Sequence, residues 1–196
     1  MDDDLDVLKR ARNGSEEALN ILFARYGRRL LGLIRLRMGP SLRRQLESQD
    51  VLQQTMLKAF KHFEQFDGDG DTTLMGWFGA IACNEIRDQA KYQHRESRDV
   101  DQALPLDAAL DLADPVRTEV SRLHFLDEAR RLETAIEALD ERHREVLILR
   151  RFEELSFPQI GRRLEKSPDA CRMLYSRAMS ALTIKLQVTD HGPHPA

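Results

Sequence analysis

The sequence is poor in cysteine and contains no long apolar run. Cys83 and Cys171 are the only cysteines and lie far apart, so neither a disulfide framework nor a zinc site built on cysteine pairs is expected. No stretch approaches the roughly 20 consecutive apolar residues that cross a bilayer. The first residues, MDDDLD, are acidic where a secretory signal would begin with positive charge. These absences predict a protein without a membrane segment that works in a reducing cytoplasm.

Helix-breaking residues are also scarce, with 7 prolines and 10 glycines among 196 residues. No segment alternates convincingly between apolar and polar residues as a half-buried strand does, whereas apolar side chains recur at helical spacing along most of the chain. The net charge of −3 excludes a polycation, so contact with nucleic acid must come from local basic patches or with help from another molecule. The composition therefore predicts an all-α fold.

Three helices are predicted in the first half of the chain. The first begins at Ser15, whose side chain can cap SEEALN, and it is expected to end at Gly39-Pro40. A third helix runs from about 73 to about 92, with Trp77 on its buried side. The Arg-rich stretch 35–46 receives no role. The second helix, SQDVLQQTMLKAFKHF, is expected to turn these side chains inward: Val51, Leu52, Thr55, Met56, Ala59, Phe60 and Phe63.

An acidic segment with two prolines, Pro105 and Pro115, separates the two halves. Its composition predicts a partly extended linker over residues 98–122. Two helical domains, 1–97 and 123–187, are expected on either side of it, and residues 188–196 are expected to be a disordered tail. A solvated loop without any further role is the alternative interpretation of the linker.

The second half of the chain carries signals for a closely spaced helix pair. Asp140 can cap ERHREVLILRRF, and Ser156 with Gln159 forms a capping-box pattern. Ser167 can cap the last helix, where Pro168 occupies the first position. Two helices joined by a brief turn, the second capped and basic, form a helix-turn-helix, whose second helix presents its first side chains to base edges. A plain helical hairpin with solvated charges is the alternative. The candidate base-contacting residues are Ser167, Asp169, Arg172, Met173, Ser176 and Arg177.

These segments carry a family resemblance. LETAIEALDERHREVLILRRFEELSFPQIGRRLEKSPDACRMLYSRAMSAL resembles region four of the extracytoplasmic-function class of sigma-70 family sigma factors, and SQDVLQQTMLKAFKHFEQF and TLMGWFGAIACNEIRDQAK resemble two helices of region two. The resemblance covers roughly residues 5–95 and 123–186. It implies a protein that binds core RNA polymerase, brings it to a promoter and helps to open the duplex, without catalysis or cofactor. Glu165 stands where the family has a turn glycine, which predicts a different turn or a left-handed residue there.

The resemblance also implies which residues meet each partner. The recognition helix would bind the minus-thirty-five element, and the β flap of the polymerase would be a further contact. An anti-sigma factor is the expected regulator. The Asp50–Lys61 helix would dock on the coiled coil of the polymerase β′ subunit through Asp50, Gln53, Gln54, Leu57, Lys58 and Lys61. The minus-ten element, as a single strand, would meet Asp67, Asp69, Asp71, Asn84, Arg87 and Lys91. Without the resemblance, the outer face of the Asp50–Lys61 helix could equally be an ordinary solvated face, with Leu57 half-buried.

The stretch DGDGD, residues 67–71, is similar to the start of a calcium-binding loop. Its aspartates match loop positions one, three and five. Thr72, however, stands where the loop requires glycine, and Phe78 stands where it requires a bidentate glutamate. No metal site is therefore predicted. A glycine-rich loop that closes around an extruded base and a solvated polar turn both remain open interpretations.

Two other classes of function compete with the sigma-factor interpretation. A helix-turn-helix regulator that acts without polymerase would usually dimerise on paired half-sites, and no dimerisation helix is evident. An enzyme would need a constellation that the sequence does not offer, because the six histidines are scattered and no nucleophile pattern or phosphate loop is present. The prediction is a sigma factor rather than an enzyme.

Overall fold

The computed structural model describes residues 4–66, 73–96 and 119–190. Within these ranges the chain is α-helical and contains no strand, which confirms the predicted all-α class. The helices form two compact units. Unit 1 contains α1 to α4, and unit 2 contains α5 to α8.

Unit 1 is a bundle in which α2 contacts the three other helices and α3 contacts α4. Its helices are α1 (Asp4–Arg12), α2 (Glu16–Arg43), α3 (Ser48–Lys61) and α4 (Leu74–Glu96), and a short 3-10 turn, Phe63–Gln65, follows α3. The backbone N–H of Ala18 donates to the Ser15 hydroxyl at 3.3 Å, which confirms the predicted cap of α2. The core of the unit is apolar and includes Leu22, Leu30, Leu33, Ile34, Val51, Met75, Phe78 and Ala82.

The first helix, α1, was not predicted. It has only 9 residues, and it buries Val7 and Ala11 in a unit where it packs on α2. Gly14 has a φ of 83°, a conformation that only glycine adopts at low cost, and it allows the chain to turn from α1 into α2. Two core residues are too weak a periodic signal to identify such a short helix.

The first long helix is interrupted at Gly39-Pro40, where its end was predicted. Gly39 has a φ of 66° and a ψ of 169°, which are not helical values, and a second helical segment of α2 follows this kink and runs to Arg43. Pro40 lacks an N–H, so it suits the first position of the continued segment. The guanidinium of Arg43 donates to the Arg35 carbonyl at 2.7 Å, spanning the kink. Part of the Arg-rich stretch 35–46 therefore stabilises a bend.

Unit 2 is organised around its last helix, because α8 contacts α5, α6 and α7. The helices are α5 (Glu119–Glu137), α6 (Glu141–Leu147), α7 (Phe157–Leu164) and α8 (Pro168–Asp190). The N–H of His143 donates to the Asp140 carboxylate at 3.0 Å, as predicted for the cap of α6. The first residues of α5 lie inside the segment 98–122 that was expected to be a linker, and α8 extends three residues into the segment 188–196 that was expected to be a tail.

The helix predicted to run through ERHREVLILRRF changes its geometry before it ends. A π-helical turn, Ile148–Phe152, follows α6, and the N–H of Glu153 donates to the Ile148 carbonyl at 3.1 Å. The Glu153 side chain is only 1% exposed, and one of its oxygens lies 3.0 Å from the Arg163 guanidinium. This ion pair joins the end of the π turn to α7.

Candidate functional site

The outer face of α3 carries the six residues predicted to meet the polymerase. The helix buries Val51, Leu52, Thr55 and Ala59, so the opposite side of its surface is left to solvent. The exposed residues are Asp50, Gln53, Gln54, Leu57, Lys58 and Lys61. Leu57 is 49% exposed. This agrees with the alternative in which the side chain is half-buried, and it still leaves half of an apolar side chain in contact with water.

Phe60 was expected to turn inward, and that expectation is wrong. The side chain is 44% exposed, because the buried stripe of α3 follows Leu52, Thr55 and Ala59 and leaves position 60 beyond its edge. Phe60 and Leu57 border a shallow, largely apolar groove of about 340 Å³ between α3 and α2, whose remaining lining is Phe23, Gln49, Leu52, Gln53 and Met56. An exposed apolar groove of this kind is typical of a protein-binding surface.

Lys58 has a partner inside unit 1 that the sequence did not reveal. Its ammonium lies 2.5 Å from a carboxylate oxygen of Glu85 on α4 and 3.8 Å from Asp88. Glu85 is buried, and Gln89 donates to its second oxygen at 2.8 Å. Burial alone would raise the pKa of Glu85, but the hydrogen bonds from Lys58 and Gln89 outweigh it and the pKa lies below its ordinary value. The hydrogen bond to Glu85 raises the pKa of Lys58, so both charges persist at neutral pH.

The residues predicted to meet the minus-ten element divide into two groups. Asn84, Arg87 and Lys91 are exposed on α4, as a contact with DNA requires. Asp67, Asp69 and Asp71 lie outside the described residues. Phe66 packs against Trp77 with ring centroids 5.3 Å apart. An aromatic contact therefore joins the chain just before this segment to α4.

The predicted aromatic packing of α4 is present in unit 1. Trp77 is half-buried, and its ring lies 5.7 Å from Phe63, edge to face, and 5.5 Å from Phe78. Phe78 is buried and also contacts Phe23 and Tyr26, each at 6.2 Å. These distances are typical of stabilising aromatic pairs. Trp77 therefore packs in the bundle, as its spacing predicted, rather than standing free to stack on a base.

In unit 2 the helix pair has the predicted capping. The Ser156 hydroxyl and the Gln159 side chain bond to each other's backbone N–H groups, completing the capping box of α7. The N–H of Ala170 donates to the Ser167 hydroxyl at 3.2 Å, which caps α8. Glu165 ends α7 with a φ of 54° and a ψ of 46°, so of the two predicted outcomes, a different turn or a left-handed residue, the structure contains the left-handed residue.

The turn between α7 and α8 is tight because Gly161 lies against it. A Cβ atom at this position would be 2.6 Å from the Lys166 carbonyl oxygen, and the N–H of Lys166 donates to the Gly161 carbonyl at 2.9 Å. Ile160 on α7 is fully buried, as are Cys171 and Ala178 on α8. This packing holds one side of α8 in the core and turns the other side outward.

The outward side of α8, together with its capping residue Ser167, carries every predicted base-contacting residue. All six are exposed: Ser167, Asp169, Arg172, Met173, Ser176 and Arg177. Met173 is 57% exposed and presents a large apolar side chain to solvent. The Arg172 guanidinium pairs with the Asp169 carboxylate at 2.5 Å, and its central carbon lies 5.3 Å from the ring centroid of Phe157. Sequence reasoning missed Phe157, because its contact with Arg172 crosses between two helices.

Two further features bear on what these faces can do. No helix in the described ranges is long and apolar enough to cross a membrane. Among the described residues, no three His, Cys, Asp or Glu side chains converge as a metal-binding group.

Known proteins resemble this chain along most of its length. The family model of sigma-70 region 2 matches residues 22–96, and that of sigma-70 region 4 matches residues 129–182. RNA polymerase sigma factor CarQ of Myxococcus xanthus is 32% identical over 179 residues, which are 89% of this chain and 92% of that protein. The structure of CnrH, solved with the cytosolic domain of CnrY, covers 95% of this chain and 99% of its own at 24% identity and a TM-score of 0.55. The sigma factor RpoE of Bartonella quintana, solved with the anti-sigma factor NepR, covers 86% and 95% at 20% identity and a TM-score of 0.51.

Proposed function

Because the chain belongs to the sigma-70 family of RNA polymerase sigma factors, within the extracytoplasmic-function class, we propose that its two units divide the work of a sigma factor. Unit 1 meets core polymerase and the minus-ten element, and unit 2 meets the minus-thirty-five element. The observation that carries this division is that every described candidate residue lies on an exposed face of the unit to which the family assigns it. A regulator that acts without polymerase would have no use for a region 2 unit, so this alternative is disfavoured.

Core polymerase binds the outer face of α3 through the coiled coil of its β′ subunit. Leu57 and Phe60 supply apolar area beside the groove, and burying an exposed leucine contributes roughly 1.5–3 kcal/mol. Asp50, Gln53, Gln54 and Lys61 form the polar rim of this interface, where charges affect specificity and association rate more than affinity. Lys58 contributes mainly by holding α3 against α4, since its ammonium is already bound to Glu85.

The minus-ten element binds unit 1 as a single strand. Arg87 and Lys91 on α4 provide charge for the phosphates, and Asn84 can bond to a base edge. Asp67, Asp69 and Asp71 can accept hydrogen bonds from base amino groups, as carboxylates do from cytosine N4. Since phosphates would repel them, these carboxylates contact bases and not the backbone.

The exposed side of α8 binds in the major groove of the minus-thirty-five element. Ser167, Ser176, Arg177 and Met173 are all exposed, and Met173 can contact a thymine methyl group. The surrounding basic surface suits phosphate contact. The β flap of the polymerase supports unit 2 while it binds.

The proposed boundaries follow the two regions. Residues 1–97 form the region 2 domain, 98–122 the linker, and 123–187 the region 4 domain, with the end of α8 extending to Asp190. The chain performs no catalysis itself and acts in the cytoplasm beside the polymerase. An anti-sigma protein holds it inactive, as the complex of RpoE with NepR suggests by analogy.

The proposal is tested with purified chain and core polymerase. Run-off transcription from a promoter selected out of a random duplex library should require both proteins, and failure to obtain specific transcripts would contradict it. Leu57→Asp should weaken capture of core polymerase at least tenfold, because a charge replaces the apolar contact. Asn13→Asp is the control, since it adds the same charge at an exposed position of the same unit, between α1 and α2. Equal capture of both variants would exclude the α3 face as the docking surface.

The minus-ten assignment needs its own measurement. Arg87→Ala should leave capture of core polymerase intact and reduce the permanganate reactivity of unpaired thymines at the start site. Arg12→Ala is a control of similar charge change at an exposed position on α1. If Arg87→Ala opens the promoter as well as the wild-type chain does, this part of the proposal is wrong.

A further inference from the structure

We propose that Phe157 and Asp169 are positioning residues that hold Arg172 in a preset orientation for promoter DNA. The inference rests on the proposed function of α8, and it assigns Asp169 a task different from direct base contact. It also brings α7 into DNA recognition, through a residue that does not itself reach the DNA. Three observations carry the inference: the contacts of the Arg172 guanidinium, the contacts that hold the Phe157 ring, and the charge of Asp169.

The first observation is that the Arg172 guanidinium is held at two points. One nitrogen lies 2.5 Å from an oxygen of Asp169, three residues earlier on the same helix. The central carbon lies over the ring of Phe157, 5.3 Å from its centroid, within the range of a cation–π contact. An in-plane hydrogen bond and a face contact together restrict both the direction and the tilt of the planar group. The Arg172 side chain is nevertheless 61% exposed, so it remains available to a ligand.

The second observation is that the Phe157 ring is itself fixed. It lies 5.9 Å from the Tyr175 ring, edge to face, and the Arg150 guanidinium lies 4.9 Å from its centroid. Arg150 in turn donates to the Leu155 carbonyl at 2.8 Å, in the segment that leads into α7. Phe157 is also the first residue of α7, directly after the capping serine Ser156. The ring is therefore a firm support and not a mobile side chain that meets Arg172 by chance.

The third observation concerns the charge of Asp169. A carboxylate on the DNA-facing side of α8 is repelled by phosphates, so by itself it would weaken binding. Its bond to Arg172 offsets this cost, because a free arginine side chain loses considerable rotamer entropy when it is ordered against DNA. Orienting the guanidinium before binding reduces that loss. Asp169 therefore raises specificity by fixing where Arg172 points.

A double-mutant cycle tests the inference in the full chain bound to core polymerase. The probe is a duplex selected from a random library by the wild-type holoenzyme, and the measured quantity is its dissociation constant. We expect Arg172→Ala to weaken binding on the order of tenfold. Phe157→Leu should weaken binding a few-fold when Arg172 is present and have no further effect when Arg172 is already alanine, because residues that act through one side chain are not additive. Asp169→Asn should also weaken binding a few-fold when Arg172 is present, but it should strengthen binding slightly when Arg172 is alanine, because the unpaired carboxylate then only repels phosphates.

Two control variants separate positioning from folding. Phe157→Tyr keeps an aromatic ring and should retain wild-type affinity. Leu164→Ala removes packing from the other end of α7, where the side chain is half-buried, and its effect on affinity should be the same with and without Arg172. Thermal melts of each variant show whether unit 2 stays folded.

The outcomes are distinct. If Arg172→Ala leaves affinity unchanged, the proposed DNA-binding role of Arg172 fails. If Arg172→Ala weakens binding but Phe157→Leu is equally harmful in both backgrounds, Phe157 has a merely structural role and the inference is overturned. If Asp169→Asn lowers discrimination at a cytosine in the selected duplex whether or not Arg172 is present, Asp169 contacts that base directly and its assignment as a positioning residue is overturned.

Discussion

Replacing Gly161 with alanine has two opposing effects on the stability of unit 2, one from helix propensity and one from close packing. Alanine is favoured over glycine in a helix interior by about 1 kcal/mol, so propensity alone predicts that Gly161→Ala stabilises unit 2. The new Cβ would lie 2.6 Å from the Lys166 carbonyl oxygen, well inside the 3.4 Å at which ordinary contact begins. Overpacking costs typically about 1–3 kcal/mol, and the upper end applies here because the opposing atom belongs to the backbone. We expect a net loss of about 2 kcal/mol.

Hydrogen exchange of the full chain, followed by mass spectrometry, measures this loss in the unit concerned. A loss of about 2 kcal/mol accelerates the slowest amides of α7 and α8 roughly 30-fold, and it lowers the melting temperature of a domain of this size by roughly 8–16 °C. Amides of α2 and α3 in unit 1 serve as the internal control and should exchange as before. Slower exchange in α7 and α8 would refute the reasoning, because it would mean that the turn yields without cost.

Three further predictions concern single contacts. Because the pKa of Glu85 is lowered from 4.5, its contribution to the stability of unit 1 is complete above about that pH and is lost as the pH falls through the folded-state pKa. Lys58→Met should reduce this loss of stability at acid pH, as measured by denaturant titrations at a series of pH values. An unchanged pH dependence would show that the pair contributes nothing. Glu165→Gly should raise the free energy of unfolding of unit 2, measured by urea unfolding, by about 0.5–1 kcal/mol, since glycine adopts the left-handed conformation without steric strain. A loss of stability would mean that the Glu165 side chain makes a compensating contact. Arg163→Met should destabilise unit 2 by about 1–3 kcal/mol, since it removes a partner of the buried Glu153 carboxylate. Arg162→Met, at a neighbouring exposed position, is the control in the same urea series. Equal losses of unfolding free energy for the two variants would place the Glu153 pair among ordinary surface contacts.

Local signals were sufficient for much of the helix-turn-helix. The capping box at Ser156 and the cap at Ser167 each depend on residues within a few positions of one another, and the structure contains both. The left-handed residue at Glu165 was one of two outcomes that the family resemblance implied. The exposure of Arg172 and Arg177 followed from the helical period that buries Cys171 and Ala178. Sequence reasoning works here because each geometry is decided within one turn of the chain.

The features that the sequence did not reveal depend on contacts between distant residues. Glu85 and Lys58 lie on different helices, and nothing in either neighbourhood marks a buried ion pair. Phe157 meets Arg172 only because the turn at Gly161 brings α7 against α8. The outward position of Phe60 was mispredicted because one position on a helix can lie at the edge of an apolar stripe, where period alone does not decide its exposure.

The position of Trp77 makes its fluorescence a probe of unit 1. It is the only tryptophan, and its neighbours Phe63, Phe66 and Phe78 all belong to unit 1. Indole fluorescence from the unlabelled chain therefore reports on α1 to α4 alone, with no contribution from the helix-turn-helix. Because Phe66 adjoins the candidate minus-ten segment, an emission change on adding a single-stranded oligonucleotide would be an optical signal of that encounter. A single indole thus allows unit 1 to be followed separately from unit 2 by fluorescence.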